Sequence, residues 1–131
     1  MKKLLLSMIL VAFAIIAFAQ KNPAQVSDLL NRIGGEGTSS RIETRVKRSL
    51  SKDGKDVFEI SSKKGKPYIE GSSLSALTTG IGWYLNHYAH INLSWNNLTT
   101  DLSKVNLPVP QAIERRECSA VYRYYLNSCT Y

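Results

Sequence analysis

The sequence predicts an α/β chain of the α+β type, with a small sheet of three or four strands covered on one face by two helices. Two segments repeat apolar residues at three- and four-residue spacing, as an amphipathic helix does. Three short segments between them are rich in strand formers and separated by polar, glycine-bearing turns. Because those strands follow one another rather than alternating with helices, the pattern favours an α+β arrangement over a doubly wound one.

Asn22 suits an N-cap and Pro23 the first helical position, and Val26, Leu29, Leu30 and Ile33 then share one face until Gly34-Gly35 ends the helix. Arg41 to Val46 alternates charged with apolar or β-branched residues, the period of a strand with one buried face. The turn Ser51 to Lys55 leads into Val57-Phe58-Glu59-Ile60, and Lys63-Lys64-Gly65-Lys66 leads into Pro67 to Glu70. Asp-Gly and Lys-Gly supply positive φ, so these segments read as successive hairpin-connected strands. Gly71-Ser72-Ser73 caps the second helix, whose apolar face is Leu74, Leu77, Ile81, Tyr84, Leu85 and Tyr88. Gly80 and Gly82 each cost that helix about 1 kcal/mol against alanine, which suggests close approach to the strands beneath. Ile91 to Trp95 reads as a short strand. Residues 96–118 read as a linker, polar as far as Asn106 and extended by the prolines of Leu107-Pro108-Val109-Pro110. Ala120 to Leu126 is again rich in strand formers.

The N-terminus has the form of a secretory signal. Lys2 and Lys3 precede an uncharged run from Leu4 to Phe18, shorter than the ~20 residues of a membrane span, and Ala17-Phe18-Ala19 fits signal peptidase. Cleavage after Ala19 leaves 112 residues, room for a single domain, exported to the periplasm or beyond the cell, with membrane contact only during export. The formal charge of +7 falls to +5 once Lys2 and Lys3 are removed. A basic balance suits nucleic acid, anionic glycans or acidic membranes, and export makes nucleic acid the least suitable. An oxidising compartment permits a Cys118–Cys129 bridge, but eleven steps of extended chain at ~3.3 Å hold the two far beyond disulfide reach.

Candidate chemistry within the chain is sparse. Glu114 and Glu117, like Asp53 and Asp56, are three apart, but each pair lies among basic residues in polar segments, which reads as surface charge; an acid pair needs burial or mutual repulsion to separate its pKa values. His87 and His90 make two ligands where structural zinc takes four, so no metal or other cofactor is expected. Nine basic and four acidic residues between Arg41 and Lys66 read as a solvated sheet surface, with docking of anionic glycans as the sharper alternative. Trp83, Trp95, Tyr68 and Tyr84 are candidates for stacking on sugars, although Trp83 and Tyr84 fall in the amphipathic helix. The sequons Asn92-Leu93-Ser94 and Asn97-Leu98-Thr99 matter only in a eukaryotic secretory pathway.

Two stretches carry a family resemblance. Gly71-Ser72-Ser73-Leu74-Ser75-Ala76-Leu77-Thr78-Thr79-Gly80-Ile81-Gly82-Trp83-Tyr84-Leu85 and Tyr122-Arg123-Tyr124-Tyr125-Leu126-Asn127-Ser128-Cys129-Thr130 resemble the N-terminal region of α-N-acetylglucosaminidases, glycoside hydrolase family 89. With the signal peptide at 1–19, the resemblance implies an accessory α/β domain at 20–95, a linker at 96–118, and at 119–131 the opening strand of a (β/α) catalytic barrel that is otherwise absent. It implies retaining hydrolysis of terminal, non-reducing α-linked N-acetylglucosamine from glycans by two carboxylates on later barrel strands, so that this chain alone is inactive. Asn127 and Cys129 match the end of the first barrel strand and are the implied sugar-pocket residues, where barrel sites are built. The implied partners are that glycan and the downstream barrel. The rival reading is a stand-alone exported carbohydrate-binding module.

Overall fold

The computed structural model describes residues 23–94, 96–97 and 99–121. The signal segment, Asn22, Trp95, Asn127 and Cys129 all lie outside these residues. Helix α1 (Ala24–Gly34) begins one residue later than expected. Pro23 occupies the cap position, its carbonyl accepting from the Val26 and Ser27 amides at 2.9 and 3.0 Å. Gly35, at φ 87°, turns the chain out of the helix.

Strands β1 (Glu43–Val46), β2 (Val57–Lys63) and β3 (Lys66–Gly71) form where strands are expected, and β4 (Glu114–Glu117) joins them to give the order β1-β3-β2-β4. β2 and β3 make the expected hairpin; Lys64 and Gly65, at φ 52° and 73°, are its two-residue turn, with Lys63 opposite Lys66. The first connection is not a hairpin. β1 pairs with β3, in parallel, on the side away from β2. The Asp53-Gly54 turn does form, but it closes only the bridge between Lys52 and Lys55, and Arg48–Leu50 is a 3₁₀ turn. The polar turn is thus spent on itself, and the chain crosses the end of β3, where the Lys47 amide donates to the Gly71 carbonyl at 2.8 Å.

Helix α2 (Leu74–His87) starts where Ser73 accepts the Ala76 amide at 3.0 Å. Its buried face, Leu77, Ile81, Tyr84 and Leu85, meets Phe58, Ile60 and Ile69 from the sheet, Ile42, and Val26 and Leu30 from α1 in one core. Leu74, expected on that face, is 44% exposed because it precedes the first turn that reaches the sheet. Gly80 is the close approach: a Cβ there would sit 3.0 Å from Ile69 and 3.1 Å from Phe58, whereas Gly82 faces open space. Gly71 is tighter, its missing Cβ falling 2.3 Å from the Leu77 amide nitrogen.

The described residues of 96–118 differ most from expectation, being extended but packed onto the domain. The amides of Thr100 and Leu102 donate to the carbonyls of Ile33 and Gly34 at 2.7 and 2.8 Å, satisfying acceptors that the end of α1 leaves open. Leu102 is fully buried against Gly34. The Arg41 guanidinium holds the carbonyls of Leu102 and Val105, the latter at 2.7 Å, and the Tyr84 hydroxyl donates to the Pro108 carbonyl at 2.9 Å. β4 then pairs antiparallel with β2. Residues 91–94, read as part of a short strand, instead show one isolated bridge, Ser94 to Asn97.

Candidate functional site

Because side chains alternate along a strand, the register sorts this sheet into two faces. Thr44, Ile69, Ile60 and Glu114 form one row across the four strands, and Val46, Gly71, Phe58 and Arg116 another; both point toward the helices. Arg45, Glu70, Glu59 and Arg115 form the central row of the opposite face.

That opposite face is charged but compensated. Lys47 pairs with Glu70 at 3.5 Å, Lys63 with Glu43 at 3.5 Å, Arg115 with Glu59 at 2.6 Å, and Lys55 with Glu117 at 3.3 Å. Lys63 also lies 4.7 Å over the Tyr68 ring, and the Tyr68 hydroxyl donates to Glu70 at 2.9 Å. Burial, then the Glu70 carboxylate, pushes the Tyr68 phenol up to about 12. Lys66 donates to the Ser40 carbonyl at 2.8 Å and Arg41 holds the wrapped segment, so much of the Arg41–Lys66 basic run is engaged within the molecule. The solvated-surface reading therefore fits better than an anionic-glycan dock.

The helix-side edge of the sheet contains a carboxylate with three side-chain donors. Glu114, on β4, accepts from Trp83 Nε1 at 3.1 Å, Tyr88 Oη at 2.7 Å and Arg116 Nε at 2.8 Å. The Tyr88 hydrogen bond, outweighing partial burial and aided by Arg116 and Trp83, holds the Glu114 carboxyl below its ordinary value, while the same bond raises the Tyr88 phenol. A general acid needs the opposite shift, and Glu117 is exposed and paired with Lys55. The Glu114–Glu117 pair is split between the two faces, so it forms no acid couple.

The aromatics divide likewise. Tyr84 is fully buried, and that burial drives its phenol well above the ordinary tyrosine range. Trp83 packs at the core margin, with the Arg116 guanidinium 4.7 Å from its ring and the His87 ring at 4.0 Å. A stacking platform for sugar needs a free ring face. His87 ends α2 and His90 follows at φ 55°; among the described residues no group of three or more His, Cys, Asp or Glu could hold a metal ion.

Between α2 and β4 lies a cleft of about 440 Å³ lined by Phe58, Ala76, Thr79, Trp83 and Cys118, with Asp56, Arg116 and Glu117 at its lip. The sequence reading missed it together with β4. Glu114-Arg115-Arg116-Glu117 lacks the apolar alternation of a strand, and the signal it does carry is charge complementarity to Glu59 and Lys55, which becomes legible only once the strand pairing is known. Asn127 and Cys129, the sugar-pocket residues implied by resemblance, lie outside the described residues.

Solved structures with the same fold include a family 89 glycoside hydrolase from Clostridium perfringens in complex with PUGNAc, at 24% identity and TM-score 0.62, covering 82% of this chain and 12% of that one. A doubly substituted family 89 enzyme from the same organism, in complex with its substrate GlcNAc-alpha-1,4-galactose, matches at 20% identity and TM-score 0.56 over 72% of this chain and 11% of that one. The chain thus spans about one eighth of the length of these relatives. No curated protein matches the sequence. A family model described as the alpha-N-acetylglucosaminidase (NAGLU) N-terminal domain matches residues 24–109, which runs from α1 through both helices and three strands into the wrapped segment. The chain belongs to the alpha-N-acetylglucosaminidase N-terminal domain family.

Proposed function

We propose that the chain is the non-catalytic N-terminal domain of an exported α-N-acetylglucosaminidase, an enzyme that removes terminal, non-reducing α-linked N-acetylglucosamine from glycans. The observation that carries this reading is the family match over residues 24–109. The substrate class is supported by the Clostridium perfringens relative, whose structure holds GlcNAc-alpha-1,4-galactose. A non-catalytic role fits the disposition of the acids. Glu114 is held ionised by three donors, the opposite of what a general acid needs, and Glu117 pairs with Lys55, so the two do not form an acid couple. The domain's contribution is mechanical: a rigid sheet closed on one face by helices, with an edge strand, β4, delivering the chain to the catalytic barrel. Asn127 and Cys129 lie beyond that strand and are the residues of this chain assigned to the sugar pocket. Export by cleavage after Ala19 completes the proposal.

The test is to express the reading frame extended past Tyr131 through a barrel and, in parallel, residues 20–131 alone, and to assay both with an aryl N-acetyl-α-glucosaminide. Turnover by the longer polypeptide and none by the shorter is the expected result. Sustained turnover by residues 20–131, or an extended frame without a barrel, refutes the proposal.

A further inference from the structure

We infer that β4 is an acid-sensitive latch: protonation of Glu114 releases residues 111–118 from the edge of the sheet while β1, β2, β3 and the two helices stay folded.

The two edges of the sheet are held by different chemistry. β1 contributes Thr44, which is buried, and Val46, which packs against the core. β4 is Glu114-Arg115-Arg116-Glu117, and none of its side chains is buried. Beyond its backbone pairing with β2 it is fastened by charge. Glu114 receives Trp83, Tyr88 and Arg116 on the helix side, while Arg115 pairs with Glu59 and Glu117 with Lys55 on the other. A strand with no apolar anchor opens on its own, without the rest of the domain, once such contacts weaken.

The fastenings are unequal. Arg115 is 43% exposed and Glu117 40%, so water and salt screen both pairs. Glu114 is 22% exposed and receives Tyr88 Oη at 2.7 Å, a charge-assisted bond of the stronger kind. One proton on Glu114 weakens all three of its bonds together. The Tyr88 bond is also the first reason that the carboxyl sits below its ordinary value, so these donors favour the charged form.

The surrounding charges add to the effect. Tyr88 and Arg116 face Glu114, and His87 lies beyond them against the Trp83 ring, at 4.0 Å. Glu59 faces Arg115 and, opposite it on β3, Glu70, itself paired with Lys47. Glu117 faces Lys55, with Asp56 and Cys118 beside it on the cleft. Protonation of Glu59 or Glu117 therefore loosens β4 in the same direction. The core left behind, with Ile42, Ile60, Ile69, Leu77 and Ile81, holds no carboxylate to titrate.

The chain also has a place to bend. The Tyr84 hydroxyl pins the Pro108 carbonyl at 2.9 Å, and Gln111, Ala112 and Ile113, just before β4, are exposed. After β4, the Cys118 amide donates to the Asp56 carbonyl at 2.8 Å and moves with the strand.

Amide exchange in the full chain tests the latch, with residues 43–47 on the opposite edge of the sheet as the internal reference. Between about pH 6 and about pH 3, protection of residues 114–118 is expected to fall about tenfold relative to that reference. Glu114→Gln should show the loosened strand at both pH values. Tyr88→Phe, which removes one donor and keeps the carboxylate, should shrink the step. Parallel loss of protection at both edges, or a step undiminished in Glu114→Gln, overturns the latch. So does a step near pH ~6.5, where imidazoles ordinarily titrate, because it would belong to His87.

Discussion

Leu102 lies in a stretch that reads as linker yet is wholly buried, so its truncation separates a packed strap from a loose tether. Leu102→Ala removes three carbons from the interior, about 2.4 kcal/mol at ~0.8 kcal/mol per buried methylene. The cavity adds to this, because Gly34 on one side has no side chain with which to fill it, and Leu→Ala at buried sites costs about 2.7–5.0 kcal/mol. The expected loss is ~3 kcal/mol, a fall of roughly 10–20 °C in unfolding midpoint for a domain of this size. Circular dichroism of Leu102→Ala beside Ile113→Ala supplies the comparison, since Ile113 is 72% exposed and its loss should cost under ~0.5 kcal/mol. A double-mutant cycle sharpens the test. A Cβ at Gly34 would lie 2.7 Å from Leu102 Cδ1 and 2.8 Å from Thr38, so Gly34→Ala is destabilising alone, and part of that penalty disappears once Leu102 is alanine. The double variant should therefore be less destabilised than the sum of the singles. Equal lowering of the midpoint by Leu102→Ala and Ile113→Ala would mean that the segment is a loose tether after all.

Two further perturbations address the polar contacts. Glu114→Gln keeps the shape but removes the charge that receives Trp83, Tyr88 and Arg116, and it should cost about 1–2 kcal/mol near neutral pH. Because the folded pKa of Glu114 is lowered, the unfolded chain binds the proton more readily; its contribution is full above the ordinary value of 4.5 and is lost as pH falls below it. The gap between parent and Glu114→Gln in urea midpoint should narrow on acidification through that range, and a constant gap refutes the assignment. Tyr84→Phe leaves the Pro108 carbonyl without its donor and should cost about 1–2 kcal/mol. The raised folded pKa of Tyr84 makes its share of stability complete below pH 10 and diminishing above it as the unfolded phenol ionises, so the variant should show a shallower alkaline decline in midpoint; an unchanged decline refutes that reading.

The legible parts of the fold are those where local chemistry and tertiary structure agree. Val26 and Leu30 in α1, Leu77, Ile81, Tyr84 and Leu85 in α2, and the Lys64-Gly65 hairpin all stand where periodicity or turn residues place them. The β1 pairing is illegible because an Asp-Gly turn signals a reversal without saying how far its arms extend, and here they end at Lys52 and Lys55. β4 and the strap are illegible for another reason: their anchors are backbone amides onto α1, an arginine onto two carbonyls and ion pairs across strands, none of which leaves a hydrophobic period. The cleft inherits that blindness, since one of its walls is β4. Sugar stacking at Trp83 stays open at the level of sequence because Arg116 and His87, which lie against its ring, are brought there only by the fold.

The strand order has a consequence for synthesis. β2 and β3 are complete once Gly71 has been made, and β1 can pair with β3 at once, but the other edge of β2 must wait for residues 114–117. At ~5–20 residues per second, the nascent chain carries that bare edge for a few seconds while α2 and the strap emerge. The unpaired row on β2 is Val57 to Ile60, the most apolar strand sequence in the sheet, so this interval is when a chaperone or a neighbouring nascent chain would find it.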